Sequence, residues 1–168
     1  MEDPANPGAT AQDELFLRRS FDAGRRAVTN GNHPFGAILV DRHGKVLLEA
    51  ENAFMPSHDG TAHAERLLCT AASIAYDADT LGTSTLYSSA EPCAMCAGAI
   101  YWSGIGRLVY GLGEHRLKAI TGDHPENPTL DLPCRTVFAA GQKTIEVIGP
   151  LLEDEAAELH EDFWARKD

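Results

Sequence analysis

Two apolar runs on either side of a polar turn near residue 43 predict a β-hairpin. Residues 36–41 (GAILVD) and 45–50 (KVLLEA) are apolar runs on either side of the turn Arg42-His43-Gly44. Short apolar runs around a Gly-containing turn are typical of paired antiparallel strands. Further apolar runs predict strands at 84–89, 107–111 and 144–148. Because these strands alternate with helical segments, the pattern indicates an α/β domain whose mixed sheet is covered on both faces.

Helical segments separate the predicted strands. Composition and the spacing of apolar positions predict helices at 13–30, 63–76, 93–102 and 153–164. Thr61 is the expected N-cap of the second helix, since its hydroxyl can accept a backbone hydrogen bond. The polar, Pro-containing segment 113–133 is predicted to be a loop, and loops of that length are usually functional or mobile. Residues 1–10 are expected to form a disordered leader before a single domain over 11–168.

The chain is acidic, with 25 Asp and Glu against 14 Lys and Arg in 168 residues and a formal net charge of −11. Phosphate backbones are bound mainly by Lys and Arg, so this balance favours a small neutral substrate over a nucleic acid. No run of about 18 apolar residues is present, and no membrane span is expected. The first residues are too acidic and polar for a signal peptide, which predicts a cytoplasmic location.

The four cysteines suit metal or redox chemistry better than a disulfide framework, because two of them are spaced C-x-x-C. Cys93, Cys96 and His63 all lie near predicted helix starts, and one imidazole with two thiolates suits Zn²⁺. Three protein ligands leave one position for water, as a catalytic zinc site requires. Cys69 is expected on a different helix face from His63 and is interpreted as a core residue. Cys134, in a Pro-flanked segment, stays open as a fourth ligand.

Glu65 follows His63 in the motif T-A-H-A-E. A carboxylate beside a metal can move protons between water, a ring nitrogen and leaving ammonia. An acidic residue in a first helical turn also simply complements the helix dipole. Cys93-x-x-Cys96 alone is equally typical of a dithiol redox protein. Together, H-x-E followed by P-C-x-x-C is the signature of zinc-dependent deaminases.

With these motifs the sequence resembles the cytidine deaminase-like superfamily. Within it, the sequence is similar to the guanine deaminase and tRNA adenosine deaminase branch, and most of all to guanine deaminases. The resemblance covers residues 21–110 and includes H-P-F-G-A at 33–37 and E-P-C-A-M-C-A-G-A-I at 91–100. It implies a three-layer α/β/α sandwich with a five-stranded mixed sheet, usually assembled as a homodimer. It also implies Zn²⁺ as the cofactor, with Glu65 as the catalytic proton shuttle and three metal ligands: His63, Cys93 and Cys96.

The same resemblance implies the substrate contacts. Asn52 matches the family residue that hydrogen-bonds the base, and Phe35 lies where the family packs against it. Ala64 and Trp102 are further expected contacts, because an aromatic residue after the metal helix lines the base pocket in guanine deaminases. From the residues alone, Asn52 equally ends a strand and Phe35 equally belongs to the core.

Two further features are expected from the family. The C-terminal aromatic residues Phe163 and Trp164 resemble a segment that covers the site, with packing against the protein's own sheet as the alternative. The segment 113–133 matches the acidic loop of the guanine branch poorly. A second acidic residue in the site is therefore not carried over from the family, and Asp123 and Glu114 are only candidates for it.

The predicted function is hydrolytic deamination of a free nucleobase-like amino-heterocycle, with guanine to xanthine plus ammonia as the first hypothesis. A tRNA adenosine deaminase is the alternative within the branch, and cytosine, a nucleoside or an s-triazine are alternative small substrates. From other classes, a C-x-x-C redox protein and a non-catalytic zinc-stabilised module are also compatible with the motifs. Zinc analysis separates the redox protein from the others, because a dithiol oxidoreductase needs no metal.

Overall fold

A five-stranded mixed sheet forms the centre of the computed structural model, which describes residues 6–165. Its strands in chain order are β1 (Gly36–Val40), β2 (Val46–Glu51), β3 (Thr85–Ala90), β4 (Arg107–Leu112) and β5 (Glu146–Ile148). The spatial order is β2-β1-β3-β4-β5. β1 pairs antiparallel with β2 and β3, whereas β3, β4 and β5 run parallel. The predicted hairpin and all five predicted strands are present, with bounds shifted by one or two residues at most ends.

Seven helices within residues 6–165 cover the two faces of this sheet. They are α1 (Ala11–Thr29), α2 (Ala64–Ala75), α3 (Ala78–Gly82), α4 (Ala94–Ser103), α5 (Glu114–Thr121), α6 (Cys134–Ala139) and α7 (Glu153–Glu161). One buried cluster joins α2, α4 and α6 to the sheet, and a second joins α1, α5 and α7 to the opposite face. Neighbouring strand residues alternate between the clusters, so that Leu39 faces the first and Ile38 the second. The predicted three-layer α/β/α sandwich is confirmed.

The structure corrects three local predictions. The segment 113–133 is not a loop throughout, because α5 occupies its first half and buries Leu117. Thr61 does not cap α2; its hydroxyl donates to Asp59, and the N-cap of α2 is His63. The short helices α3 and α6 were not predicted, since segments of five and six residues carry too little periodicity to be recognised.

At Asn6 the structure differs from the prediction that residues 1–10 form a disordered leader. This residue is buried, its side-chain amide donates to the Pro150 carbonyl at 2.7 Å, and its Oδ1 accepts the Gly149 N–H at 3.0 Å. The segment before α1 is therefore docked beside the end of β5 from residue 6 onward. Residues 1–5 lie outside the described residues. No helix between residues 6 and 165 is both long and apolar enough to cross a membrane.

A buried ion pair fastens α1 to the edge of the sheet where β4 begins. Arg107 donates to both carboxylate oxygens of Asp13, at 2.7 and 3.0 Å, and the Tyr87 hydroxyl donates to one of them at 2.8 Å. Burial alone would raise the pKa of Asp13, but the hydrogen bonds from Arg107, Thr10 and Tyr87 outweigh it and lower the pKa to about 2. The start of β4 is thus held by a structural ion pair. In α/β sheets, binding sites lie at the other end, where the carboxyl ends of the strands meet.

Candidate active site

Two helix starts meet at the carboxyl end of β3. α2 begins directly after His63 and α4 directly after Cys93, and both of these N-cap residues have extended backbone conformations. α2 and α4 pack against each other on the same face of the sheet. Neither side chain caps its own helix, so the imidazole and the thiol are free to meet where the two helix starts pack together.

The three predicted metal ligands form one cluster. The His63 Nδ1 atom lies 3.6 Å from the Sγ atoms of both Cys93 and Cys96. In a tetrahedral site with Zn–S bonds of about 2.3 Å and Zn–N bonds of about 2.0 Å, neighbouring N and S ligands are about 3.5 Å apart. The spacing therefore fits a zinc ion without rearrangement. Hydrogen bonding by Cys96 and His63 outweighs burial and lowers the pKa of Cys93 to about 4, which favours the thiolate that a metal needs.

Neither of the other cysteines joins this cluster within the part of the chain that is described. Cys69 is buried in the core between α2 and α4, and burial raises the pKa of its thiol to about 12. Cys134 begins α6, is fully buried, and its amide is bound by Glu91. Three protein ligands therefore remain, and a tetrahedral ion bound to them keeps one open position.

Glu65 lies in the first turn of α2 and is only 5% exposed. Its Oε1 accepts a hydrogen bond from the Ser88 hydroxyl at 3.0 Å, and its Oε2 lies 3.8 Å from the Cys96 sulfur. Burial raises the pKa of Glu65 above its usual range. A buried carboxyl with a raised pKa beside a metal site is suited to taking up a proton and returning it.

A cavity of about 350 Å³ adjoins the cluster. Phe35 and Asn52 line it, as do His63, Glu65 and Cys93. The Asn52 Oδ1 atom accepts the Phe54 N–H at 3.1 Å, which leaves the side-chain NH₂ group to donate to a ligand. Ala64 is fully buried in the core cluster, so its methyl group supports the site from behind rather than forming its wall.

Trp102, one of the expected substrate contacts, does not line this cavity. Its side chain is 82% exposed and packs edge-to-face on Tyr101 at a centroid distance of 5.5 Å. The reason is the length of α4: at about 1.5 Å per residue, Trp102 lies roughly 13 Å along the axis from Cys93. A residue at the far end of α4 is therefore too distant to reach the cavity beside the metal ligands of its own chain.

Of the two candidates for a second acid, the structure places Glu114 in the cavity wall and leaves Asp123 outside it. Glu114 is the first residue of α5 and is 7% exposed. Burial, followed by the nearby carboxylate of Glu91, raises the pKa of Glu114 to about 7. A carboxyl group that changes protonation near neutral pH can therefore either accept or donate a hydrogen bond in this cavity.

The C-terminal segment packs beside the same cavity, in its own chain. Trp164 is 5% exposed, and its indole N–H donates to the Nδ1 atom of His160 at 2.9 Å. It also stacks on the cavity-lining His33, with ring centroids 5.4 Å apart and planes 22° apart. His33 in turn lies 2.9 Å from the carboxylate of Glu126, on the segment between α5 and α6. Burial lowers the pKa of His160 to about 4, so its imidazole is neutral and able to accept.

Sequence reasoning missed the roles of three residues in this wall: His33, Glu91 and Glu126. His33 and Glu91 belong to the motifs H-P-F-G-A and E-P-C-A-M-C, but their partners lie far away in the chain. Glu126 is 93 positions from His33, and the amides that Glu91 binds are 23 and 43 positions from it. No local pattern records such contacts.

Residues 10–112 match the family described as the cytidine and deoxycytidylate deaminase zinc-binding region. The chain belongs to this family. The matched range contains the three-ligand cluster and Glu65, and it confirms both the predicted family and Zn²⁺ as the cofactor.

Known members of this deaminase family differ in substrate. A probable cytosine deaminase of Schizosaccharomyces pombe is 40% identical over 153 residues, covering 91% of this chain and 93% of that protein. A tRNA-specific adenosine deaminase of Haemophilus influenzae is 36% identical over 126 residues, covering 71% and 73%. The solved structure of a guanine deaminase from Nitrosomonas europaea has a TM-score of 0.74 and 26% identity, covering 99% of this chain and 95% of that one. The chain is thus a hydrolytic deaminase, and its substrate has to be argued from the cavity.

The ligand cluster predicts which cysteine substitution removes the metal. Cys93→Ala should reduce bound zinc from about one ion per chain to below about a tenth, because two remaining ligands hold the ion poorly. Cys69→Ala is the matched control: it removes a thiol from the same core without touching the cluster, and it should keep its zinc. Elemental analysis of the purified variants measures both. Full zinc occupancy in the Cys93→Ala protein would contradict the ligand set.

Proposed function

We propose that this protein is a zinc-dependent deaminase of a free nucleobase-like amino-heterocycle, and that guanine, converted to xanthine and ammonia, is the first substrate to test. The observation that carries the proposal is the charge of the cavity next to the metal cluster. Its lining includes five carboxylate side chains and, within the described residues, no Lys or Arg: Asp59, Glu65, Glu91, Glu114 and Glu126.

This lining argues against a polynucleotide substrate. A tRNA enzyme has to hold phosphates around its target base, and those contacts are made mainly by Lys, Arg and backbone N–H groups. Here the carboxylates would repel a phosphate at the cavity mouth, and the net charge of −11 adds long-range repulsion. The cavity favours a ligand that enters free and presents N–H groups to acceptors.

Guanine presents such groups. Its N1–H, its 2-amino group and its N9–H are donors. The 2-amino group is the one that leaves as ammonia, and the carboxylates of Glu114 and Glu126, which line the cavity, can accept from the ring N–H groups. The free NH₂ group of Asn52 can donate to a ring or carbonyl acceptor, and the Phe35 ring offers a stacking face. Cytosine is the second candidate, because it shares the reacting amino group beside a ring nitrogen and because of the likeness to the Schizosaccharomyces pombe protein.

In the reaction, the oxygen of water bonds to the carbon that carries the amino group, and the carbon–nitrogen bond breaks to release ammonia. Zn²⁺ held by His63, Cys93 and Cys96 would act as the Lewis acid that activates water. Glu65 takes one proton from water and passes it to the neighbouring ring nitrogen. It then takes the second proton from the hydroxyl group now bonded to the carbon and delivers it to the leaving amine. Its buried position next to Cys96 keeps this proton away from bulk solvent.

The same proposal includes a homodimer joined through α4 and a cytoplasmic location. α4 carries no charged residue, and its last turn includes the exposed Trp102. An uncharged helix with an exposed indole is typical of a subunit interface. A reducing compartment suits the protein because the zinc site needs both of its cysteines as thiolates.

Glu65→Gln should separate chemistry from metal binding. The amide keeps the size of the side chain but cannot take up a proton, so turnover should fall by about 10²- to 10⁴-fold while bound zinc and the thermal midpoint change little. Glu155→Gln, an exposed carboxylate on α7, is the matched control and should keep full activity. Steady-state ammonia release and zinc analysis measure these effects. Near-normal turnover would mean that Glu65 only complements the dipole of α2 and moves no proton.

Substrate choice is tested by measuring ammonia release from guanine, cytosine, nucleosides and s-triazines, together with inosine formation in tRNA. We expect guanine turnover that depends only weakly on salt, since no phosphate contact contributes to binding, and no inosine. Inosine in tRNA with guanine untouched would overturn the free-base proposal. Faster turnover of cytosine than of guanine would keep the mechanism and replace the substrate.

The α4 interface is tested with Trp102→Asp. A buried charge at the proposed interface should shift sedimentation from dimer to monomer, because an unpaired carboxylate is costly to desolvate. Leu15→Asp is the control, since Leu15 is also exposed but lies on α1, on the opposite face of the sheet. Equal dimerisation of the two variants, or a monomeric unmodified protein, would exclude this interface.

A further inference from the structure

The Glu91 side chain joins three elements around the cavity. Its residue follows the last residue of β3 and precedes Pro92 and the ligand Cys93. Its Oε2 atom accepts the backbone N–H of Glu114 at 2.9 Å, and its Oε1 atom accepts the backbone N–H of Cys134 at 2.9 Å. These two amides belong to the first residues of α5 and α6. One carboxylate thus caps two helices that are separate in the chain.

These contacts are strong for a physical reason. The first amides of a helix have no partner inside the helix, and the helix dipole adds a partial positive charge there. A carboxylate that accepts from such amides forms charge-assisted hydrogen bonds, which are roughly twice as strong as neutral ones. Neither α5 nor α6 has a side-chain cap from its own N-cap residue, Gly113 or Pro133. The local sequences of α5 and α6 provide no side-chain N-cap, and Glu91, two residues before the ligand Cys93, provides one for both helices.

The position of α5 determines the shape of the cavity. α5 carries Glu114 and Leu117, and both line the cavity that adjoins the ligand cluster. The backbone N–H of Glu91 also donates to the Leu112 carbonyl at 2.7 Å, at the end of β4 just before α5. Main-chain and side-chain contacts of Glu91 therefore set the distance between the zinc-ligand loop, residues 91–93, and the side of the cavity that α5 forms.

We propose that Glu91 is a positioning residue that holds the α5 wall, and with it Glu114, at a defined distance from the zinc-ligand loop, and that this spacing sets substrate affinity. The claim that this spacing sets substrate affinity rests on the proposed function. The structural part of the proposal, the capping of α5 and α6 by one carboxylate, stands on the contacts alone. Glu91 contacts none of the three metal ligands through its side chain in the described hydrogen bonds, so its action runs through α5 and α6.

A matched control is present at the same helix start. The Gly113 N–H, one position before Glu114, is bound by the carboxylate of Glu153 at 3.1 Å. Glu153 lies at the start of α7 and does not line the cavity. Glu91→Gln and Glu153→Gln therefore make the same chemical change at neighbouring amides of α5, but only the first reaches α6 and the ligand loop.

The experiment combines residue-resolved amide hydrogen exchange with kinetics on the zinc-loaded protein. In Glu91→Gln, one amide loses its acceptor and meets an NH₂ group instead. Exchange at Glu114, Cys134 or both should speed up by about tenfold or more. Bound zinc should stay near one ion per chain. The KM for the base that the enzyme deaminates should rise by about tenfold, while kcat changes less than about threefold. Glu153→Gln should speed up exchange near Gly113, with Cys134 and KM unchanged.

Three results would overturn the proposal: unchanged exchange at both amides, loss of zinc, or faster exchange with an unchanged KM, which would make Glu91 a purely structural cap. Should Glu91→Gln not fold, Glu91→Asp replaces it, since the shorter carboxylate reaches one amide at a time and should give the same pattern more weakly. If no amino-heterocycle is turned over at all, the proposed function fails by itself. Exchange and zinc content then still decide whether Glu91 caps both helices.

Discussion

The packing of α2 against α4 is the contact on which the site depends. Each helix begins directly after a metal ligand, so the meeting of the two N-termini brings His63 within 3.6 Å of both cysteine sulfurs. Small residues in α4 permit this close packing, with Ala97 fully buried between the helix and the sheet. The positive ends of both helices also face the cluster, which favours the Cys93 thiolate there. Metal binding is in this sense a result of helix packing on the sheet.

The cavity beside that cluster has an acidic lining, which includes Asp59, Glu65, Glu91, Glu114 and Glu126. Burying several carboxylates near one another raises the pKa of some of them, and Glu114, at about 7, is the clearest instance in the cavity. The helix-start amides of α5 and α6 offset part of this charge through Glu91. The remaining acceptors are available to a ligand that brings its own N–H donors. In the proposed function, the same electrostatic rule makes this lining favour amino-heterocycles over phosphates.

The C-terminal segment closes the arrangement from one side. Trp164 and His160 form a buried hydrogen-bonded pair, and the indole stacks on His33, which also contacts Glu126. Three segments far apart in the chain thus meet at one imidazole on the cavity wall. The composition of the acidic helix α7 does not indicate this role. It follows from the position of the last turn, whose His160 accepts the hydrogen bond from Trp164.

The sequence alone determined the local chemistry and most of the architecture. The ligands, Glu65 and the five strands were predictable because each depends on spacing within a short segment: a motif, an apolar run or a turn. The helix α5 was not, since its eight residues bury little and its capping groups, Glu91 and Glu153, come from elsewhere. Trp102 was misplaced because motif order does not state how far a helix carries a side chain from its start. Only the tertiary structure decided which carboxylates share the cavity, that Cys134 stays out of the cluster and where the C-terminal indole packs. Those contacts join residues tens of positions apart, and they form only when the sheet brings its helix starts to one edge.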